Sequence, residues 1–391
     1  MKTPLAWLNL RRDPARTAVA ILGVAFAALL IFVQLGFLGA CWTSATLIYD
    51  RLDFDLAIGS PEYVDLMRAA SIPRQRLTQA WSLPGVTSIH PFSAAIHLWR
   101  NPEAPDRRRR NILVLGVDPR ASIFRHPELT DALLARLSSP RSVLLDRRSR
   151  PEFFGQEIVT GSADNPDDDR TDLALVPVQV VGRFTLGTGF GADGMVITDE
   201  RTFAEVIGPE WSQRVSLGLV KLADGSNPAA ADAARDHLQR LLPDDVRVWT
   251  RAELLAAERW HWVWETPLGK IFLFGAGLAF AIGVILVYQV MAGDIARRLA
   301  EYATLKAMGY SNRYLSGVVV RQAMVLGVAG FLPGLAAAAA MFPVVRHFAM
   351  LPIALGAIST MAVFALTLAM ATTSGWLALR KLHGADPADL F

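Results

Sequence analysis

The sequence predicts a four-span α-helical membrane protein with a large extracytoplasmic α+β domain between spans one and two. Three observations carry that prediction. Apolar runs within residues 17–42, 268–292, 314–341 and 352–379 are each long enough to cross a hydrocarbon core of roughly 30 Å. Residues 43–250 are a different material, with mixed charge, many prolines, alternating apolar patterns and no span. Basic residues gather beside the runs at Lys2–Arg16, at Arg297–Arg313, and at Arg380 and Lys381. By the positive-inside rule those three flanks and both termini are cytoplasmic, and 43–250 lies outside.

Composition narrows the function classes. The chain has 391 residues, room for a membrane part and a separate folded domain, and a formal net charge of only +3. Its basic clusters sit where topology needs them, so nothing calls for nucleic acid. The single cysteine, Cys41, excludes an internal disulfide and a Cys-rich metal site.

The elements follow in order. Residues 1–16 place Leu5, Trp7, Leu8 and Leu10 beside Lys2, Arg11, Arg12 and Arg16, an amphipathic segment for the inner membrane surface. Span one follows at 17–42. Leu38-Gly39-Ala40-Cys41 resembles a lipoprotein cleavage box, but the run exceeds a signal h-region of about 7–15 residues, which favours a retained span. In the domain, Asp53–Ile58, Val86–Trp99, Ile112–Val117, Val215–Leu222 and Val246–Trp249 read as extended, and Pro73–Trp81 and Pro228–Leu242 as helices. Strand–helix–strand units at both ends suggest one α+β subdomain, with a β-rich subdomain inserted at about 118–212.

Three features there invite over-reading. Arg107–Arg110 reads as a solvated turn before a strand rather than an anion site. Asp164 and Asp167–Asp169 lack the alternating ligands and closing Glu of a calcium loop. Gly187, Gly189, Gly191 and Gly194 precede no phosphate-binding helix, so that stretch reads as a mobile hairpin tip or partner-contact loop.

Thr250 and Glu253 form a candidate capping box. From Arg251 the helical pattern runs through Trp260, Trp262 and Trp264 into span two. As one helix, 251–292 would extend roughly 63 Å at about 1.5 Å per residue. That exceeds the bilayer core, so span two is expected to continue outward as a stalk through 251–293, with Pro267 as a possible kink. Residues 294–313 form a cytoplasmic helix with Ile295, Leu299, Tyr302, Leu305 and Met308 on one apolar face and Gly309 as its stop. Such a helix can lie on lipid or enter a partner's groove. Spans three (314–341, with Pro333-Gly334 a candidate bend) and four (352–379) flank a short outer loop at Phe342–Leu351, and 380–391 is a cytoplasmic tail.

Enzyme chemistry finds no footing. The sequence contains no G-x-x-x-x-G-K-[ST] phosphate loop, no G-x-S-x-G elbow and no H-E-x-x-H. The spans hold Gln34, Tyr288 and Gln289 but no charged relay.

The order Glu301, Ala303, Leu305, Lys306, Ala307, Met308, Gly309, then Gln322, Ala323, Gly327 and Gly330 resembles the region between the second and third spans of FtsX/MacB-type ABC transporter permeases. EYATLKAMGY and the N-terminal LAWLNLRRDPARTAVAILGVAFAALLIFVQLGF are similar to DevC-type exporter permeases, and Asp386-Pro387-Ala388 matches an element after the last span of the wider family. The resemblance implies a permease subunit of the inner (cytoplasmic) membrane, with no cofactor of its own. ATP and Mg would act on a separate ABC ATPase, contacted by Glu301, Leu305, Lys306 and Gly309 of a coupling helix. It further implies a homodimer, a periplasmic adaptor and an outer-membrane channel, with ATPase movement transmitted to the outer domain for export. Two alternatives stay open: a lipoprotein-extracting permease, and an FtsX-like regulator of a cell-wall hydrolase.

Overall fold

The computed structural model describes residues 14–68, 70–100, 109–150, 170–187, 189–298, 301, 304 and 308–383. Several sequence readings fall outside those residues: the first thirteen positions, Arg107 and Arg108, the Asp164–Asp169 loop, Leu305, Lys306 and Asp386-Pro387-Ala388. Two compact units are described below in turn, one comprising Cys41–Thr266 with Met350–Pro352, the other Met1–Ala40, Pro267–Ala349 and Ile353–Phe391.

Helix α1 runs from Pro14 to Thr46 and supplies residues to both units. Beyond it the sheet unit begins. Its strands are β1 (Leu56–Gly59), β2 (Ile72–Pro73), β3 (Val86–Arg100), β4 (Arg109–Val117), β5 (Ser142–Asp146), β6 (Arg170–Leu173), β7 (Val176–Phe184), β8 (Gly194–Asp199), β9 (Arg214–Val215), β10 (Leu217–Leu222) and β11 (Arg247–Thr250). Among them run α2 (Gln75–Ala80), α3 (Asp131–Leu134), α4 (Glu200–Ile207) and α5 (Pro228–Leu241), and α6 (Arg251–Trp260) follows β11. Local chemistry sets the helix starts. Asp199 accepts from the Thr202 amide to open α4, and Asn227 caps α5 ahead of Pro228, whose fixed φ suits a first helical turn. Thr250 and Glu253 exchange both capping-box hydrogen bonds at the start of α6.

Nine strands among the described residues form one sheet in the order β11-β1-β10-β3-β4-β8-β5-β7-β6. Strands from both ends of the segment meet in its first four places, all antiparallel. Side chains alternate between two cores. Leu56 and Ile58 face α2 and α5 with Leu77, Ala80 and Leu238, whereas Ala57 faces Tyr49, Phe54, Trp249 and Leu254. The strands contributed by 118–212 continue the same sheet. There β4 pairs parallel with β8, and β5 parallel with β7. The far end of β3 then pairs with β6, Trp99 opposite Leu173 and Arg100 opposite Asp172, so β3-β4-β8-β5-β7-β6 closes into a ring.

The glycine-rich stretch 187–194 departs from the sequence reading. Gly189 and Gly191 pack closely against side chains of this unit. A Cβ on Gly189, where φ is +62°, would meet Ser44 Oγ at 2.2 Å, and one on Gly191 would meet Met67 Cε at 2.2 Å. The glycines are dense because backbone approaches side chains closely there, which a tip exposed to partners does not require.

The stalk also differs from the expectation of one continuous helix. After α6 a π-helical turn covers His261–Glu265, and Thr266 is extended at φ −72°, ψ 151°. The ring of Pro267 crowds the preceding residue out of the α region, so the helical hydrogen bonding stops at Thr266. Its hydroxyl donates to the Trp262 carbonyl at 2.6 Å and its amide to that of His261 at 3.0 Å. Helix α7 starts afresh at Pro267.

The second unit comprises α1 to Ala40 with α7 (Pro267–Arg297), α8 (Asn312–Ala349) and α9 (Ala357–His383). Including α1, the described residues hold four helices long and apolar enough to cross a membrane. Their common core takes Ala20, Val24 and Ala27 from α1 and Val287, Met291 and Ile295 from α7. Val319 and Ala323 from α8 and Met370 and Ala371 from α9 join it. Small residues let backbones approach: a Cβ on Gly330 would lie 2.4 Å from Val24 Cβ and 2.9 Å from the Ile21 carbonyl. The expected outer loop at Phe342–Leu351 is mostly helix instead. Helix α8 passes Pro333 and Pro343 and reaches Ala349, and the chain turns at Met350 with φ +55°. In an apolar bundle neighbouring groups accommodate a proline, so Pro343 does not end the helix.

Candidate functional site

The segment joining α7 to α8 is the candidate site. It is bounded by a polar clamp at its base. The Arg298 Nε donates to Asp294 Oδ1 at 3.1 Å, and the Gln322 Nε2 donates to Asp294 Oδ2 at 2.8 Å. Asp294 and Arg298 stand one helical turn apart at the end of α7, while Gln322 belongs to α8. One carboxylate thus ties the end of α7 to a position about three turns into α8. All three groups are largely buried, Gln322 at 4% exposure and Arg298 at 9%. Charge-assisted hydrogen bonds in such a setting are short and directional, so the clamp fixes the register between the two helices.

Beyond the clamp, Glu301 is helical and exposed. The Met308 amide bonds the Thr304 carbonyl at 3.0 Å. Gly309 follows at φ +93° with open space around it, the left-handed conformation that terminates helices. The hydroxyl of Ser311 accepts from the Tyr314 amide at 3.3 Å and opens α8. The rings of Tyr310 and Tyr314 lie 5.0 Å apart. Met308 is 63% exposed and Tyr310 45%, so the end of the segment presents apolar surface to solvent.

Of the four residues assigned from sequence, the structure therefore places Glu301 on the surface of the segment and Gly309 at its stop. Leu305 and Lys306 lie outside the described residues. Asp294 and Gln322 carry the geometry that the sequence reading did not assign. Their signal was present: an aspartate just before a basic pair at the end of an apolar run, and a glutamine inside the next. Among the described residues no group of His, Cys, Asp and Glu is arranged to hold a metal ion. Among the described residues, the arrangement joins an exposed stretch at Met308–Tyr310 to a hydrogen-bonded base at Asp294.

Residues 273–387 match the family model "FtsX-like permease C-terminal". The match runs from residue 273, within α7, through α9 and takes in the whole candidate segment. No curated protein matches the chain. Among solved structures, the periplasmic region of MacB from Actinobacillus actinomycetemcomitans is similar at 14% identity and a TM-score of 0.35, covering 52% of this chain and 92% of that one. The extracellular domain of the noncanonic ABC-type transporter YknZ from Gram-positive bacteria is similar at 14% identity and a TM-score of 0.33, covering 50% and 98%. A domain of a putative permease protein from Porphyromonas gingivalis gives 14% identity and a TM-score of 0.28, covering 51% and 88%.

Proposed function

We propose that this chain, whose residues 273–387 match the FtsX-like permease model, is the membrane subunit of an ATP-driven ABC exporter of the MacB/DevC kind. The observation that carries the reading is the family match itself, because it spans three membrane helices and the segment between α7 and α8. The sequence has no phosphate loop, so hydrolysis of ATP with Mg is assigned to a separate ATPase. That partner docks on the 294–313 segment, where Leu305 enters its groove and Glu301 and Lys306 set the register. The basic flanks put the segment and both termini in the cytoplasm of an inner-membrane protein and the sheet unit outside. A second copy of the chain, a periplasmic adaptor and an outer-membrane channel complete the assembly.

In this mechanism ATP-driven closure of the ATPases moves the docked segment. The Asp294 clamp passes the displacement to α7 and α8 together, because packed interfaces switch between discrete arrangements rather than stretching. The outer domain responds to the helices, and substrate need not cross between the spans. Purification from native membrane with associated subunits tests the proposal. An ABC ATPase and an adaptor should co-purify. A cell-wall hydrolase in place of the adaptor would move the assignment to signalling, and absence of any ATPase would overturn it.

A further inference from the structure

A second polar cluster lies wholly within the sheet unit. It surrounds Glu258 of α6, which is 1% exposed. The Tyr49 hydroxyl donates to Glu258 Oε1 at 2.9 Å and the Tyr63 hydroxyl to the same atom at 2.6 Å, and the two phenols also touch each other. The remaining oxygen, Oε2, is buried with no hydrogen-bond partner. The Ser44 Oγ, in the last turn of α1, is in the same condition. Both residues line one cavity, together with Met67, Gly191 and Trp262. About 10 Å³ of it is open to the centre of a water molecule, close to what one water needs.

A buried polar atom without a partner is costly, and two around one cavity call for a shared partner. We propose that this cavity is a binding site for a single water molecule, which accepts a hydrogen bond from protonated Oε2 of Glu258 and donates one to Ser44 Oγ. The acid form is the one the surroundings favour. Burial pushes the Glu258 carboxyl up to about 8, against the lowering effect of the Tyr63 and Tyr49 hydroxyls, and the buried charge of Asp65 adds to the rise. The Leu66 amide faces the carboxyl and lowers it slightly without closing a bond to Oε2. Asp65 itself accepts from Arg68 at 3.2 Å, and His261 Nε2 lies 3.3 Å from it. Tyr49 and Tyr63, both pushed well above their ordinary range by burial, remain protonated donors. The hydrated acid joins the end of α1, residues 63–66 and α6 in one hydrogen-bonded unit, and its proton is the joint's removable part. This site stands apart from the docking of an ATPase.

Infrared spectroscopy of the full chain, in a detergent without carbonyl groups, tests the site. The wild type should show a protonated-carboxyl band that Glu258→Gln lacks, and the band should vanish as pH rises with a midpoint near 8. Tyr63→Phe, which removes one hydroxyl that stabilises the anion, should move that midpoint upward. Ser44→Ala should shift the band's frequency, because the water loses a partner. Absence of a Glu258-dependent band at pH 6 would overturn the neutral acid. An unchanged band in Ser44→Ala, or a crystal structure of the full chain with no solvent between Ser44 and Glu258, would overturn the water.

Discussion

Asp294→Leu isolates the clamp beneath the candidate docking segment. The replacement has similar bulk and removes both acceptor oxygens. Arg298 then loses its carboxylate at 3.1 Å and Gln322 its acceptor at 2.8 Å. Removing one partner of a buried ion pair costs about 3–5 kcal/mol. This pair is one turn apart at a helix end, with side chains 11% and 19% exposed, which places it near the lower bound. Leucine's better helix propensity returns a few tenths of a kcal/mol. A net loss of about 3 kcal/mol changes the local opening equilibrium by roughly two orders of magnitude. Hydrogen exchange of the full chain in detergent reads it directly. Amides at the end of α7 and in the first turns of α8 should lose about a hundredfold of protection, while those of the sheet unit stay as they were. Asp294→Asn keeps one acceptor for Gln322 and should lose about tenfold, as expected for a charged hydrogen bond made neutral. Equal protection in wild type and Asp294→Leu refutes the clamp.

Four further outcomes are expected. Leu305→Asp should reach the membrane at normal levels and lose the ATPase on purification, whereas Lys306→Glu should weaken that association less, since an exposed ion pair contributes about 0–1 kcal/mol. Retention of the ATPase by Leu305→Asp would exclude the segment as its dock. Gly330→Leu forces atoms into the 2.4 Å approach to Val24 and should lower the Tm of the helical unit, at an overpacking cost of about 1–3 kcal/mol; an unchanged Tm would contradict that packing. Between pH 4.5 and about 8 the native state holds a proton on Glu258 that the unfolded chain releases, so stability should fall as pH rises through that window and level off above it. Glu258→Gln should remove that part of the slope in a denaturation series. Finally, the purified chain free of partners should hydrolyse no ATP, and sustained turnover would count against a separate ATPase.

Much of the architecture was legible because the relevant signals are local. The apolar runs declare the helices of the membrane unit, and the short apolar runs at 112–117 and 215–222 declare strands of the sheet. The capping box at Thr250 needs only two residues at the right spacing. What escaped depends on atoms far apart in sequence. Ring closure pairs Trp99 with Leu173, and no local pattern announces it. The break at Thr266 was half visible, for Pro267 was noted, but helical periodicity on both sides masked the conformational demand on its predecessor. The glycines at 187–194 resemble a loose loop until Ser44 and Met67 are seen against them. Glu258 gave one clue: it shares the buried stripe of Leu254 and Leu255, where a carboxylate is out of place. For the candidate site, Gly309 was readable from composition, while the Asp294–Gln322 bond joins positions on two separate helices.

The closure of β3 upon β6 bears on how this protein survives crowding. An open sheet presents two rows of unpaired backbone groups, and each can recruit a strand from a neighbouring chain. Here the ring consumes one of them. The edge left over among the described residues is β11, and it is only Arg247–Thr250. It opens with an exposed arginine whose guanidinium sits 5.3 Å over the Trp249 ring, and it turns directly into the capped α6. A short, charged edge that ends in a helix is a poor template for added strands. From this end of the nine-stranded sheet, strand addition by another chain has little to build on.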